Sequence, residues 1–198
     1  RLLCSVDVKH IGIADRKGNL ALFGHPGMKV NIASEERFQS QRQQNSALLH
    51  IDKPHLGLLP DQYHLYLSMR LNDREGDFAG IASVAVSLEN FFAIPSGSDQ
   101  QPRDGIVILG LDVIVRASVN FPTMLPGESH DHDPLLSAVQ HNQVGELITR
   151  DTQGHPNYRA FRLIPGYPLI ISTEISEPAA LKEYYERKHA FLLLGGLF

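Results

Sequence analysis

Residues 71–92 read LNDREGDFAGIASVAVSLENFF. The piece DREGD brings Asp and Gly together as tight turns require. Before it, QYHLYLSMRLN (62–72) alternates. Leu65, Leu67, Met69 and Leu71 fall on one face of a strand, and Tyr66, Ser68 and Arg70 fall on the other. After it, FAGIASVAVSL (78–88) is too apolar for a solvent-facing strand, which predicts a central strand covered on both faces. The two runs make a hairpin at the middle of an antiparallel sheet. Nothing in them performs chemistry.

Outward from this hairpin, KHIGIA (9–14) and LALF (20–23) flank the Gly-containing turn DRKGN, a second hairpin. ASEERFQSQRQQNS (33–46) reads as a polar helix with Ser34 as N-cap. It has few apolar residues, which predicts a place on the surface or over a pocket. ALLHID (47–52) is a short strand ended by Pro54. IPSGSDQQPRDG (94–105) has the Pro, Gly and Ser content of a linker. Beyond it, IVILG and DVIVRAS are strands, and DPLLSAVQHN is a helix with Asp133 as N-cap and Pro134 in its first turn. GELITRD, NYRAFRLI and PLIISTEI are three further strands, and Ser176 caps a helix that runs through Pro178 to the end. The second half thus repeats the element order of the first, which predicts two similar small sheets in series.

The 198 residues, 42% hydrophobic and 20% charged, describe a globular chain of one large or two small domains. A net charge of −4 with scattered Lys and Arg gives no footprint for nucleic acid. The single cysteine, Cys4, excludes a disulfide framework and a multi-cysteine zinc site. HAFLLLGGLF (189–198), preceded by the charged run KEYYERKH, reads as the first turns of a transmembrane helix, the alternative being a buried helix end.

The common motifs of serine hydrolases, P-loop NTPases, dinucleotide-binding proteins, zinc metalloproteases and EF-hands are missing. ESHDHDP (128–134) concentrates His130, His132, Asp131 and Asp133. A metal site would need a further ligand such as His141 or His155, and the plainer reading is a solvated loop whose last Asp caps a helix. Tyr66, Ser68 and Arg70, on one face of one strand, make a plausible clamp for a small anion such as a carboxylate. Arg37 and Arg42 on the helix, with His50 and Asp52 on the neighbouring strand, could close over it. The plainer reading is the wet face of a sheet.

The run LYLSMRLNDREGDFAGIASVAVSLENFF (65–92) resembles the central hairpin of the double Cache sensor domains. VKHIGIADRKGNLALFG, SEERFQSQR and LLHIDKPHLG resemble the elements that precede it, and DGIVILGLDVIVRAS and YRAFRLIPGYPLIISTEISEPAALKEYYERK resemble the second module and its exit helix. The resemblance implies an α+β fold of two PAS-like (Cache) modules in tandem, each an antiparallel sheet flanked by helices. Residues 1–95 would be the membrane-distal module, 96–104 a linker, 105–176 the membrane-proximal module, and 177–198 the exit helix leading into a membrane span. RLLCSVD would be the end of the family's long N-terminal helix.

The resemblance further implies a periplasmic sensor domain of an inner-membrane signal transducer, anchored in the membrane and homodimeric. It would bind a carboxylate or amino acid, use no cofactor, carry no catalytic activity of its own, and signal to a cytoplasmic diguanylate cyclase or histidine kinase. A ligand-free spacer or protein-docking domain is the alternative. The departures from the family lie in the site. The expected Arg and aromatic of the helix are Glu35 and Arg37, the first Arg of the hairpin motif is Met69, and the Asp-Gly turn of the second module is Asp112-Val113.

Overall fold

The computed structural model describes residues 7–23, 27, 30–44, 48–56, 63–88, 105–121, 123–151, 153–181 and 184. It is an α+β structure of two antiparallel sheets with few helices, and the chain divides into two compact units, Arg1–Ser96 and Gly97–Phe198.

In the first unit the strands are β1 (Val8–Asp15), β2 (Asn19–Leu22), β3 (Val30–Asn31), β4 (His50–Ile51), β5 (His55–Leu56), β6 (Tyr63–Asn72) and β7 (Phe78–Ser87), with helix α1 (Glu36–Gln43) between β3 and β4. The sheet order is β3-β2-β1-β7-β6-β4, with β5 also pairing β6. The hairpin of residues 71–92 is therefore central: β7 is flanked by β6 and β1, and most of its side chains are buried.

Sheet register carries Tyr66, Ser68 and Arg70 into rows with Ala85, Ser83 and Ile81 and then with His10, Gly12 and Ala14. The core gathers on this face: Ala14, Ile32, Phe38 and Ile81 pack with Leu20, Val30, Ala33 and Phe78. Phe38 is the anchor of α1, fully buried and edge-on to Phe78 at 5.4 Å between ring centroids. The polar face of β6 is thus the helix-covered one. On the opposite face Ile11, Ile13 and Met69 are nearly half exposed.

One expectation for α1 needs correction. Its N-cap is Glu35 and not Ser34, and no side chain caps it. The Glu35 N–H bonds to the Ile32 carbonyl and Asn31 accepts from the Ala33 N–H, so a tight turn carries the chain one residue further before the helix starts. The helix was expected on the surface or over a pocket; it is buried on one face only, through Arg37, Phe38 and Gln41, with Glu36, Arg42 and Gln43 exposed, and one aromatic docks it where a continuous apolar stripe was absent. Among the described residues 48–52, the strand expected over 47–52 is reduced to the two residues of β4, although the Asp52 N–H still bonds to the Tyr66 carbonyl.

The second unit holds β8 (Gly105–Gly110), β9 (Val115–Val119), α2 (Pro134–His141), β10 (Val144–Arg150), β11 (Pro156–Leu163), β12 (Leu169–Ser176) and α3 (Glu177–Ala180) in sheet order β10-β11-β12-β8-β9. Its core is Val107, Leu109, Val115, Met124, Leu135, Phe161 and Ile170. Asp133 caps α2 as expected, accepting from the Leu135 N–H at 2.8 Å. Ser176 occupies the N-cap position of α3 without a side-chain cap bond. The C-terminal run 189–198, RLLCSVD up to residue 6 and the linker at 96–104 lie outside the described residues, among which no helix is long and apolar enough to cross a membrane.

Three hairpins are closed by the same device. Asp15, Asp73 and Asp151 each accept from the N–H groups two and four residues on, at 2.8–3.0 Å, while Gly18, Gly76 and Gly154 take positive φ. The side-chain bond from Asn19 holds the Asp15 carboxyl below its ordinary range. Desolvation, the largest single influence, would raise Asp73 and Asp151, but it is outweighed by several bonds and charges together, those of Asp77, Arg16 and Glu75 on the one and of His155 and Gln153 on the other, and both carboxyls are lowered. The β8–β9 turn departs from this pattern: Val113 adopts φ 66° where the others have glycine.

Candidate functional site

The face of the first sheet under α1 holds a buried polar set. Arg37 projects from the first turn of α1 onto β6, with its guanidinium 3.7 Å from the centroid of the Tyr66 ring. The residue is 4% exposed. Its Nη2 meets the Glu35 carboxylate at 2.6 Å, while Nε and Nη1 have no hydrogen-bond partner among the described residues. Together with His10, Gly12, Leu20, Leu22, Tyr66, Ser83 and Ala85 it lines a cavity of about 10 Å³, room for about one water.

The other anticipated residues divide into three groups. Arg70 is a strut: Nη1 donates to the carbonyls of Gln41 at 2.8 Å and Arg42 at 3.0 Å, Nε donates to Asn72, and the guanidinium lies 4.9 Å from the Phe78 ring centroid. A cation on the last carbonyls of a helix completes bonds that the helix itself leaves open. Asp52 is buried and accepts from the Lys53 N–H, with His55 Nε2 at 3.2 Å; the His55 ring in turn leans on Tyr66 at 6.2 Å between centroids. His50 faces Ser40 through Nδ1 at 3.4 Å, and its Nε2 is buried with no partner among the described residues. Ser68 is buried, its carbonyl accepting from Gln41 Nε2 at 2.8 Å and its hydroxyl without a partner among the described residues. Arg42 contributes its carbonyl, and its side chain is exposed.

Arg37 and Tyr66 are therefore brought together, Arg70 and Ser68 tie the helix to the sheet, and Arg42 stands apart. The sequence reading missed Gln41, His10 and Ser83. The last two were recoverable from register, since Tyr66, Ala85 and His10 form one cross-strand row and Ser68, Ser83 and Gly12 the next.

In the second unit, ESHDHDP is a surface loop. His132 is almost fully exposed, and Asp133 turns inward to cap α2 and to accept from Arg159. Among the described residues no three His, Cys, Asp or Glu side chains gather as a metal site, His141 and His155 included.

No protein-family model matches the sequence, and no curated protein matches it. Solved structures do. The extracellular domain of rpHK1S-Z16, a protein assigned as a histidine kinase, superposes with a TM-score of 0.74 at 21% identity, over 88% of this chain and 73% of that one. The periplasmic sensory domain of the Campylobacter jejuni chemoreceptor Tlp1 gives 0.61 at 12% identity, over 89% and 74%. The sensory domain of the C. jejuni chemoreceptor Tlp3 with isoleucine bound gives 0.55 at 15% identity, over 87% and 67%. The chain has the fold of a Cache-type sensory domain. The resemblance of residues 65–92 and their flanks is borne out at the level of fold. These three are the extracellular domain of a kinase and sensory domains of two chemoreceptors, and nothing among them supports the diguanylate cyclase output.

Proposed function

We propose that this chain is the extracytoplasmic small-molecule sensor of a membrane-bound signal transducer, and that the first unit binds a small carboxylate or amino acid against Arg37. In this reading residues 1–95 and 105–176 are PAS-like modules joined by 96–104, and 177–198 leads into the membrane. The receptor is a homodimer in the inner membrane, and a histidine kinase or diguanylate cyclase on the far side provides the output.

The observation that carries the reading is the state of Arg37: a buried guanidinium stacked on Tyr66 with two donors left over. The two point to different sides of the guanidinium, so a carboxylate would bond one of them and complete a two-pronged contact only by taking Nη2 from Glu35. Tyr66 supplies the aromatic wall, and His55, backed by Asp52, leans on the same ring. Ligand would shift α1 relative to β6, and such a change signals only to the extent that ligand binds one of two states better than the other. Arg70 and Gln41, which tie the helix end to β6, set how far α1 can travel.

A thermal-shift screen of carboxylic acids and amino acids on the purified chain tests this. A stabilising compound whose effect disappears in Arg37→Met and persists in His130→Ala is the expected result. A compound that stabilises Arg37→Met equally well, or a screen with no response at millimolar concentration, overturns it.

One observation favours a second reading, the ligand-free spacer: the cavity beside Arg37 is about 10 Å³, far below the several hundred Å³ of ordinary ligand sites. Binding of an amino acid there requires α1 to lift, so the spacer reading predicts unchanged protection of the α1 amides in hydrogen exchange with every compound of the screen.

A further inference from the structure

We propose that the second unit carries a ligand site of its own, for a small organic ammonium ion, in the cleft between the inner face of β10–β12 and the residues Phe121, Met124 and Asp133. The proposal is independent of the Arg37 reading and uses none of its residues.

The cleft has a volume of about 750 Å³, within the range of ordinary small-molecule sites and open to solvent. Phe121 and Met124 give it apolar wall, and three carboxylates (Asp133, Asp151, Glu174) line it against two guanidiniums (Arg150, Arg159). The inner group decides the chemistry. Arg159 is 4% exposed and already committed. Its Nη1 donates to both oxygens of Asp133 at 3.0 and 2.9 Å, Nε donates to Ser172 Oγ at 2.9 Å, and Nη2 faces the Met124 sulfur at 3.6 Å.

Glu174, on the same side of the sheet, must share that one cation. Its nearest approach to Arg159 is 3.9 Å, from an Nε already bonded to Ser172. The carboxylate accepts one bond from Asn157 Nδ2 at 3.0 Å and one from Thr149 Oγ1 at 3.2 Å, both neutral donors. A carboxylate has about four acceptor positions, so Glu174 keeps acceptor capacity facing the cleft. A largely buried carboxylate with half a cation calls for a positive partner. An ammonium donates three hydrogen bonds and would fill those positions, while its carbon chain lies on Phe121 and Met124. A carboxylate ligand is disfavoured here, because Asp133 and Ser172 occupy Arg159 and the cleft is left with one negative charge in excess.

Calorimetric titration of the purified chain with 1,4-diaminobutane and with butylamine, and with butyrate as the anionic counterpart, tests the assignment. The amines are expected to bind. Glu174→Gln, which retains acceptor oxygen for Thr149 or Asn157 but no charge, is expected to weaken them about tenfold to a hundredfold, the range of a hydrogen bond to a charged group. Arg37→Met is expected to leave amine binding unchanged, so the two sites fail separately. A second measurement needs no variant: amide shifts in the wild-type NMR spectrum on adding 1,4-diaminobutane, expected at Thr149, Asn157 and Met124. No amine binding at millimolar concentration, equal affinity in Glu174→Gln, shifts confined to other residues, or preferential binding of butyrate in this cleft would each overturn the proposal.

Discussion

Arg37→Met separates a functional arginine from a structural one, because the two roles predict opposite effects on stability. The side chain is almost wholly buried, with Nε and Nη1 unpaired among the described residues. Leaving a buried donor unsatisfied costs about 1–3 kcal/mol. Against this stand one ion pair to Glu35, itself 40% exposed, and the contact with Tyr66. An ion pair open to water on one side contributes roughly 0–1 kcal/mol, and a desolvated cation–π contact about 1–2 kcal/mol. Met matches the length of the arginine stem and offers sulfur to the same ring. The terms nearly cancel, so the variant should lie within about 1 kcal/mol of wild type, on the stable side where both unpaired donors count in full. Urea unfolding followed by circular dichroism measures this. A loss above about 2 kcal/mol would refute the reasoning, since it would make Arg37 a strut like Arg70 with no binding capacity held in reserve.

The β8–β9 turn gives a second prediction. A left-handed conformation costs a side-chain-bearing residue about 1–2 kcal/mol, so Val113→Gly should exceed Val113→Ala in stability by about 1 kcal/mol, or roughly 2–4 °C in Tm for a chain of this length; equal Tm values would contradict the strain assigned to φ 66°. Phe38→Ala should cost about 3–5 kcal/mol and release α1 from the sheet, read as selective loss of amide protection over Glu36–Gln43. The hairpin carboxylates Asp15, Asp73 and Asp151 are lowered in the fold. Their contribution is therefore present above the ordinary carboxylate value and is lost as pH falls through their folded values. Tm should drop on acidification below that value, and a triple Asp→Asn variant, which keeps the acceptor oxygens, should flatten the drop; an unchanged slope would assign acid lability elsewhere.

The sheets were legible because their signals are local. Strict alternation in 62–72, the doubly apolar run of 78–88 and the Asp and Gly of two turns each state a strand or a reversal without help from distant residues. The capping of α2 by Asp133 was legible for the same reason. The face of β6 that α1 covers was legible only as one of two options, a helix closing over Tyr66, Ser68 and Arg70 or a wet sheet face. Leu65, Leu67 and Met69 form the more apolar row, yet α1 lies on the row of Tyr66, Ser68 and Arg70. That choice depends on Phe38 docking against Phe78 and on Gln41 and Arg70 exchanging bonds with the opposite backbone, long-range partnerships that no periodicity encodes. Arg159 escaped notice similarly: its partners Asp133, Ser172 and Met124 come from three separate segments.

The inversion in the first sheet bears directly on function. If α1 served stability alone, covering Leu67 and Met69 would give it more apolar surface to bury at about 25 cal/mol per Å². Instead Met69, Ile11 and Ile13 stay nearly half exposed, and the helix spends its inner face on Arg37 and Gln41 beside a single phenylalanine. Buried polar atoms unpaired among the described residues, as at Arg37, His50 and Ser68, make that face less stable than an apolar one would be. A helix held by one aromatic and a few hydrogen bonds over a polar floor opens at low cost. Such an element suits a receptor, whose two states must differ by only a few kcal/mol for a ligand to choose between them. The same logic predicts that replacing the floor with apolar residues, as in Ser68→Ala with Arg37→Met, raises stability and locks α1 down. Slower hydrogen exchange of the α1 amides in that double variant would support the argument, and faster exchange would sink it.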